Sequence, residues 1–279
     1  MQARPFKQVD VFTAVRYAGN PVAVVMEGSG LSSEDMQHFT DWTNLSEATF
    51  LLPPTRPEAD YRVRIFCPGR ELPFAGHPTL GTCHAWLEAG GSPRSGFVVQ
   101  ECAVGLIRIR RDAGRLAFAA PALSRSGPLG EDEVVRIARG LGIERADIVH
   151  HAWCDNGPPW RGVMLRSAAQ VLALRPDAAA LAGLFVGVVG PHETGGDCGF
   201  EVRAFFPGGQ GLIEDPVTGS LNAALAQWLV AAGLAPRRYV AAQGTAMRRA
   251  GRVHVEVDLD GEAWIGGDSV TCIDGTVRL

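Results

Sequence analysis

The sequence predicts an α+β protein made of two copies of one domain, each with mainly antiparallel strands around a single apolar helix. The first observation is a loop, ELPFAGHPT at residues 71–79, that returns without gaps as EDPVTGSLN at residues 214–222. The second is an R-x-F-x-P pattern just before each loop, at residues 64–68 and 203–207. A repeat about half a chain long is too long for a solenoid and indicates a duplicated domain.

The first half begins with strands and a helix and ends in a strand meander. The first helix has Ser32 or Ser33 as N-cap, with acidic residues in its first turn. The apolar, strand-like run at 44–52 carries one carboxylate, Glu47. Pro78 is predicted as the first residue of the second helix, where its missing N–H needs no partner. Strands are predicted at 8–12, 20–25, 61–66, 97–99, 106–109 and 116–118, and helices at 31–44 and from 78 to Gly90-Gly91.

The second half repeats this plan after a proline-bounded linker at residues 121–128. The predicted lobes are residues 1–120 and 121–279, and the last strand can cross to the first lobe. An amphipathic helix is expected at 131–141, with its inward residues at Val134, Val135, Ile137, Ala138 and Leu141. Strands are predicted at 162–165, 184–189, 200–205, 237–241, 252–257 and 263–265, and helices at 168–174 and from 220 to Gly233.

The composition argues against charged polymers and membranes as partners. A net charge of −4 and a pI near 6.0 provide no electrostatic attraction to nucleic acid or to an anionic membrane. The first residues lack the apolar core of a signal peptide, and the apolar run at 181–190 is about half as long as a membrane span needs. We therefore expect a soluble, cytoplasmic protein.

The cysteine and histidine patterns do not indicate a metal site. Six cysteines without a C-x-x-C pair are typical of buried small hydrophobes rather than of a disulfide framework or a zinc site. The sequence HHAWCD at 150–155 has metal-binding residue types but no accompanying ligand spacing, so we predict a solvated loop there. Walker, G-x-G-x-x-G and G-x-S-x-G motifs are missing from the sequence, which leaves nucleotide, nicotinamide and α/β-hydrolase functions without support.

The two repeated loops each lead into a predicted helix through a glycine and a polar residue, Gly76-His77 and Gly219-Ser220. A helix N-terminus presents unpaired backbone N–H groups and the positive end of the helix dipole. If an approximate two-fold relates the repeats, both ends face one cleft and form a site for a carboxylate. The alternative is that the glycines only make tight turns.

Three side chains are candidates for proton transfer or substrate orientation. Glu47 lies among apolar residues, where desolvation would raise its pKa towards the range of a general acid/base. Asp215 has no counterpart in the first loop, which suggests a specialised role, and His77 can shuttle protons or bind a substrate oxygen. The alternatives are a solvent-facing strand glutamate for Glu47 and helix-dipole pairing for Asp215.

Five ordered motifs resemble the PhzF family, the phenazine-biosynthesis-type isomerases and their relatives. They occupy residues 10–25, 44–50, 73–81, 214–220 and 243–244 and so extend over nearly the whole chain. The resemblance implies a diaminopimelate-epimerase-like fold, with two pseudo-symmetric lobes and the active site between them. It further implies that no metal or organic cofactor is used and that the protein forms a homodimer.

The same resemblance assigns Glu47 as the catalytic acid/base, and His77, Asp215, Ser220, Gly76 and Gly219 as residues of the substrate site. Related epimerases and racemases use one cysteine in each helix-start loop. Those places are held here by an alanine and a threonine, Ala75 and Thr218, so the thiol mechanism has no nucleophile pair.

The sequence as a whole predicts a cofactor-independent isomerase that moves a proton on a small carboxylate by a 1,3-type shift. Glu47 removes and returns the proton, the helix N-termini and Ser220 hold the carboxylate, and His77 and Asp215 orient the substrate and stabilise the developing enolate. One alternative is a racemase or epimerase of an amino or hydroxy acid that uses Glu47 and Asp215. Another is a non-catalytic metabolite-binding protein on the same fold.

Overall fold

The computed structural model describes residues 2–112, 114–208 and 211–279. Five α-helices in the described ranges are numbered in chain order: α1 Ser33–Thr43, α2 Gly76–Glu88, α3 Glu131–Leu141, α4 Ala168–Ala173 and α5 Gly219–Ala231. The strands are β1 Ala3–Val11, β2 Asn20–Val25, β3 Ala48–Leu52, β4 Tyr61–Cys67, β5 Arg70–Leu72, β6 Val98–Cys102, β7 Gly105–Asp112, β8 Arg115–Ala119, β9 His150–Asp155, β10 Pro159–Met164, β11 Phe185–Pro191, β12 Phe200–Gly208, β13 Gly211–Asp215, β14 Arg238–Gln243, β15 Gly251–Val257, β16 Ala263–Gly267 and β17 Ser269–Arg278.

The chain divides into two compact units. Unit 1 contains Met1–Ala119 and Gly266–Leu279, and unit 2 contains Ala120–Ile265. The C-terminal strand β17 belongs to unit 1 because it pairs antiparallel with β1 from Ala3↔Arg278 to Val11↔Ser269.

The strands of unit 1 form one ladder of antiparallel and parallel pairs. β1 and β2 pair antiparallel, β2 and β3 pair parallel, and β3 and β4 pair antiparallel. β4 then pairs antiparallel with the short β5 and parallel with β6, which continues antiparallel through β7 to β8. The parallel pairs β2–β3 and β4–β6 each require a connection that carries a helix, α1 and α2 respectively.

Unit 2 repeats this ladder step by step. β9 to β12 pair as antiparallel, parallel and antiparallel, as β1 to β4 do. β12 pairs antiparallel with β13 and parallel with β14, which pairs antiparallel with β15. The connections again carry one helix each, α4 and α5. The predicted duplication and the mainly antiparallel α+β fold are therefore confirmed.

The helices α2 and α5 are the central helices of their units. Most residues of both helices are buried, and α5 is apolar on nearly its whole surface, as expected for a helix inside a core. In α2 a side chain at Gly81 would place its Cβ 2.3 Å from Val22 Cγ1 of β2. In unit 2 the glycine is on the strand instead, because a Cβ at Gly187 of β11 would lie 2.3 Å from Leu221 Cδ1 of α5. Each unit thus has a glycine where helix and sheet meet most closely.

The amphipathic helices agree with the sequence in all but one side chain. α1 has Ser32 as N-cap in a reciprocal capping box with Asp35. α3 ends at the left-handed Gly142, and Val134 and Leu141 are buried. Val135 was predicted to face inward but is 49% exposed, because it lies on the flank of the apolar stripe.

Other local predictions need correction. Residues 150–155 form strand β9 rather than a solvated loop, because Ala152, Trp153 and Cys154 are buried. Strand β17, which is mostly exposed beyond its first residues, was missed because its sequence lacks a clear alternation. Pro78 is the third helical residue of α2 rather than the first, a position that still lacks an intrahelical acceptor for an N–H.

Four of the six cysteines are buried, and the other two, Cys67 and Cys272, are half-buried. Within residues 2–112, 114–208 and 211–279, no helix is long and apolar enough to cross a membrane.

Candidate functional site

Glu47 lies immediately before strand β3 and not within it. The chain leaves α1 through Asn44, which adopts the left-handed conformation (φ 56°) and so turns the backbone towards the sheet. The carbonyl oxygen of Glu47 then accepts a hydrogen bond from the Ala23 backbone N–H at 3.3 Å, which begins the parallel pairing of β2 with β3. The Glu47 side chain is 16% exposed, so the carboxylate is largely but not fully removed from solvent.

His77 brings the first helix-start loop to Glu47. It is the second residue of α2, its side chain is 6% exposed, and its Nε2 lies 3.3 Å from Glu47 Oε2. On the other side of the ring, Asn20 Nδ2 lies 3.4 Å from His77 Nδ1.

Burial keeps the His77 imidazole neutral. Desolvation lowers its pKa from 6.5 to about 3, and a hydrogen bond to the Pro21 backbone opposes this shift only in part. The 3.3 Å contact with Glu47 therefore places a neutral ring beside the carboxylate and is not an ion pair at neutral pH. In this state His77 can orient a carboxylate or a substrate oxygen, but it carries no positive charge to stabilise one.

The N-terminus of α2 has free hydrogen-bonding capacity beside His77. Its N-cap, Ala75, has no side-chain hydrogen bond to the first turn. The backbone N–H groups of Gly76 and His77 have no acceptor within the helix, because they lie in its first turn. The first turn of α2 therefore presents two donors and the positive end of the dipole next to Glu47.

In unit 2 the carboxylate of the second loop is held by its neighbours. Asp215 is the last residue of β13, and its Oδ2 accepts a hydrogen bond from Thr218 Oγ1 at 2.6 Å. Gln243, at the end of β14, donates to Thr218 Oγ1 at 2.8 Å and to the Asp215 backbone oxygen at 3.1 Å. The Asp215 side chain is thus hydrogen-bonded to the N-cap residue of α5 rather than placed in the helical first turn.

Ser220 occupies in α5 the position that His77 occupies in α2. Its Oγ accepts a hydrogen bond from Trp160 Nε1 at 3.1 Å, and its backbone oxygen accepts from Asn156 Nδ2 at 2.8 Å. Because Trp160 can only donate, the Ser220 hydroxyl keeps its own proton for another acceptor. Ser220 and the first-turn N–H of Gly219 therefore form a group of donors in unit 2.

The structure thus groups the predicted residues by unit: Glu47, His77 and Gly76 in unit 1, and Asp215, Gly219 and Ser220 in unit 2. Sequence reasoning assigned no site role to Asn20, Thr218 or Gln243. The sequence does contain a signal for two of them. Asn20 stands in the Gly-Asn-Pro turn of a family motif, and the repeat aligns Gln243 with Gln100. Thr218 was noted only as the place of a missing cysteine.

The repeated ladder around central helices defines a fold that other α+β proteins share. A hydroxyproline epimerase structure from Agrobacterium vitis has this fold: its TM-score is 0.59 at 14% identity, with 99% of this chain and 93% of that chain covered. A PhzF family phenazine biosynthesis protein structure from Enterococcus faecalis is more similar, with a TM-score of 0.82 at 25% identity over 100% of both chains.

Sequence comparison identifies the family to which the chain belongs. The family model described as phenazine biosynthesis-like protein, PhzC-PhzF, matches residues 9–275. The protein named antisense-enhancing sequence 1 of Schizosaccharomyces pombe is 35% identical in an alignment of 298 positions that covers 99% of each chain. The trans-2,3-dihydro-3-hydroxyanthranilate isomerase of Pseudomonas aeruginosa is 32% identical over 260 residues, which cover 91% of this chain and 90% of that protein. The chain belongs to the PhzF family of isomerases.

Proposed function

We propose that this isomerase moves a proton between two carbons of a small carboxylate substrate, without a cofactor, and that Glu47 carries the proton. The observation that supports this most is the contact of Glu47 with a neutral, buried histidine, His77, at an uncapped helix N-terminus. The imidazole orients the carboxylate, and the helix dipole and first-turn N–H groups stabilise negative charge on a bound substrate.

The proposed reaction has two proton transfers. The Glu47 carboxylate removes a proton from a carbon next to an activating group, and the C–H electron pair enters the conjugated system as an enolate or dienol. The protonated Glu47 then returns a proton to the conjugated carbon two atoms away, the double bond moves, and the carboxylate is regenerated. No oxidant, reductant or leaving group is needed, because the product is an isomer of the substrate.

The proposed substrate class is supported by the hydrogen-bond donors at the helix starts and by the name of a relative. In each unit the donors at the start of the central helix are suited to bind a carboxylate: the first-turn N–H groups of α2 in unit 1, and the first-turn N–H of α5 with the Ser220 hydroxyl in unit 2. The Pseudomonas aeruginosa relative is named for an anthranilate-type carboxylic acid, and we extend that class to this chain. In unit 2, Asp215 would accept a hydrogen bond from a hydroxyl or amino group of a substrate.

A second candidate function is epimerisation by two bases, one carboxylate in each unit. The hydrogen bond from Thr218 Oγ1 to Asp215 Oδ2 favours this function, because it holds the second carboxylate as an acceptor. Epimerisation inverts a stereocentre without moving a double bond, so chiral analysis of the product distinguishes the two reactions.

The test is proton NMR in D₂O with trans-2,3-dihydro-3-hydroxyanthranilate and a panel of small amino and hydroxy acids. Wild type, Glu47→Gln and the matched control Glu58→Gln, an exposed carboxylate of the same unit, are compared. We expect turnover in wild type and Glu58→Gln and a loss of at least about a hundredfold in Glu47→Gln, the usual contribution of a general acid/base. Dialysis against EDTA should leave turnover unchanged.

In H₂O, a substrate deuterated at the reacting carbon distinguishes a mechanism with one base from a mechanism with two bases. If Glu47 alone carries the proton, part of the deuterium reappears at the new carbon of the product; two bases would deliver only solvent protons. Retained turnover in Glu47→Gln would remove Glu47 from this role. Ligand-induced thermal stabilisation without exchange into any compound would instead support a metabolite-binding protein.

A further inference from the structure

Gln243 is fully buried and uses every hydrogen-bonding group of its side-chain amide. Its Oε1 accepts from the Thr218 backbone N–H at 3.0 Å and from Asn222 Nδ2 at 2.8 Å. Its Nε2 donates to Thr218 Oγ1 at 2.8 Å and to the Asp215 backbone oxygen at 3.1 Å. A primary amide has two donor protons and two acceptor lone pairs, so all four are satisfied.

The Thr218 backbone N–H sets the direction of this network, because it can only donate. Gln243 Oε1 must face it, since a flipped amide would bring two donors together. Gln243 Nε2 then donates to Thr218 Oγ1, and the Thr218 hydroxyl proton goes to Asp215 Oδ2 at 2.6 Å. That length is typical of a hydroxyl bonded to an ionised carboxylate. The network therefore holds Asp215 Oδ2 as an unprotonated acceptor.

Unit 1 contains the same buried glutamine in the same register. Gln100 is fully buried, its Nε2 donates to Thr79 Oγ1 at 2.9 Å, and its Oε1 accepts from the Tyr61 hydroxyl at 3.1 Å. Thr79 corresponds in the repeat to Asn222, so a hydrogen bond joins helix and glutamine at the same position in both units, with donor and acceptor exchanged. This shared contact ties each central helix to the sheet.

The remaining contacts of Gln243 occur only in unit 2. The positions of Asp215 and Thr218 are held in unit 1 by Leu72 and Ala75, which have neither a carboxylate nor a hydroxyl. The two groups are thus present together in one repeat and missing together from the other. A hydroxyl needed only to cap α5 would not require the carboxylate, whereas a hydroxyl that orients the carboxylate would.

We propose that Thr218 and Gln243 are positioning residues that fix the Asp215 carboxylate in one orientation, as a hydrogen-bond acceptor for the substrate. This inference rests on the role proposed above for Asp215. Of the charged side chains on adjoining segments, Arg203 and Glu214 pair with each other, and Arg249 lies beside Gly244, the residue that follows Gln243.

The first test needs no substrate. The carboxyl carbon of Asp215 is followed by NMR of ¹³C-labelled protein as a function of pH, with its signal assigned by Asp215→Asn. We expect the signal to titrate at higher pH in Thr218→Val than in wild type, because the lost hydroxyl donated to the charged form. Thr218→Ser should restore the wild-type titration. Thr79→Val, which removes the buried hydroxyl that accepts a hydrogen bond from Gln100 in unit 1, should leave it unchanged.

The second test uses the same variants and trans-2,3-dihydro-3-hydroxyanthranilate. We expect kcat/KM to fall about tenfold or more in Thr218→Val, the value of one hydrogen bond to a charged group, and its acidic limb to move to higher pH. Thr218→Ser should recover both. An unchanged Asp215 titration in a folded Thr218→Val protein, or no recovery with serine, would overturn the inference. A shifted titration without turnover in wild type would keep it and remove the proposed function instead.

Discussion

Replacing Glu214 by glutamine tests how far burial determines the value of an ion pair that occurs once in each repeat. In unit 2, Arg203 Nε and Nη2 each lie 2.8 Å from one Glu214 carboxylate oxygen, and the Arg203 side chain is only 6% exposed. Arg203 Nη1 also donates to the backbone oxygens of Val171 and Leu174. Glu214→Gln therefore leaves a buried guanidinium without its counter-ion.

Removing one partner of a buried pair costs about 3–5 kcal/mol. The retained carbonyl contacts of Arg203 and the 19% exposure of Glu214 place the expected loss near the lower limit, about 3 kcal/mol, or roughly 6–12 °C in Tm. The matched control is Glu71→Gln in unit 1. Arg64 and Glu71 form the same two-pronged pair at 2.7 and 2.6 Å, but their side chains are 26% and 38% exposed. Solvent screening limits this pair to about 1 kcal/mol or less.

Urea denaturation and calorimetry of wild type, Glu214→Gln and Glu71→Gln at one pH and ionic strength provide the measurement. Circular dichroism before denaturation establishes that each variant is folded. Equal losses in the two variants, within about 0.5 kcal/mol, would refute the reasoning, because the two pairs share their geometry and differ in burial. A larger loss in Glu71→Gln would refute it more strongly.

Two further predictions concern the central helix of unit 1. Gly81→Ala should destabilise the protein by about 1–3 kcal/mol in urea denaturation, because the new Cβ would meet Val22 Cγ1 at 2.3 Å. The control Gly96→Ala, with open space around it, should be neutral. Equal stability of the two variants would contradict the close packing of α2 on β2. The unfolded chain binds a proton at His77 below pH 6.5, whereas the folded protein does so only near pH 3. His77 should therefore lower the free energy of unfolding by about 2 kcal/mol between pH 7 and 5, measured as the difference between wild type and His77→Gln in the slope of this free energy against pH. Parallel slopes would show that His77 is not buried as a neutral ring.

Local sequence signals predicted most of the elements correctly. The N-cap at Ser32 and the alternation in β4 and β12 are short-range features that depend on a few neighbouring residues. The two errors in strand prediction have a common cause. β9 and β17 owe their strand conformation to pairing with β10 and β1, and such pairing partners do not appear in a local pattern.

The candidate site was predictable as a set of residues but not as an arrangement. The repeated loops pointed to Gly76, His77, Gly219 and Ser220, and the asymmetry between Leu72 and Asp215 singled out the second carboxylate. The placement of Glu47 before β3 rather than inside it follows from the turn at Asn44, which the apolar run concealed.

The sequence by itself determined the duplication, the central helices and the family, because these are recorded in residue types at regular spacing. Only the tertiary structure decided that Glu47 meets His77, that the imidazole is neutral, and that Gln243 orients Thr218 towards Asp215. These contacts join segments that are brought together by the parallel pairs β2–β3 and β12–β14. The charge of a buried side chain depends on how completely such distant segments exclude water from it, and this quantity exists only in the folded protein.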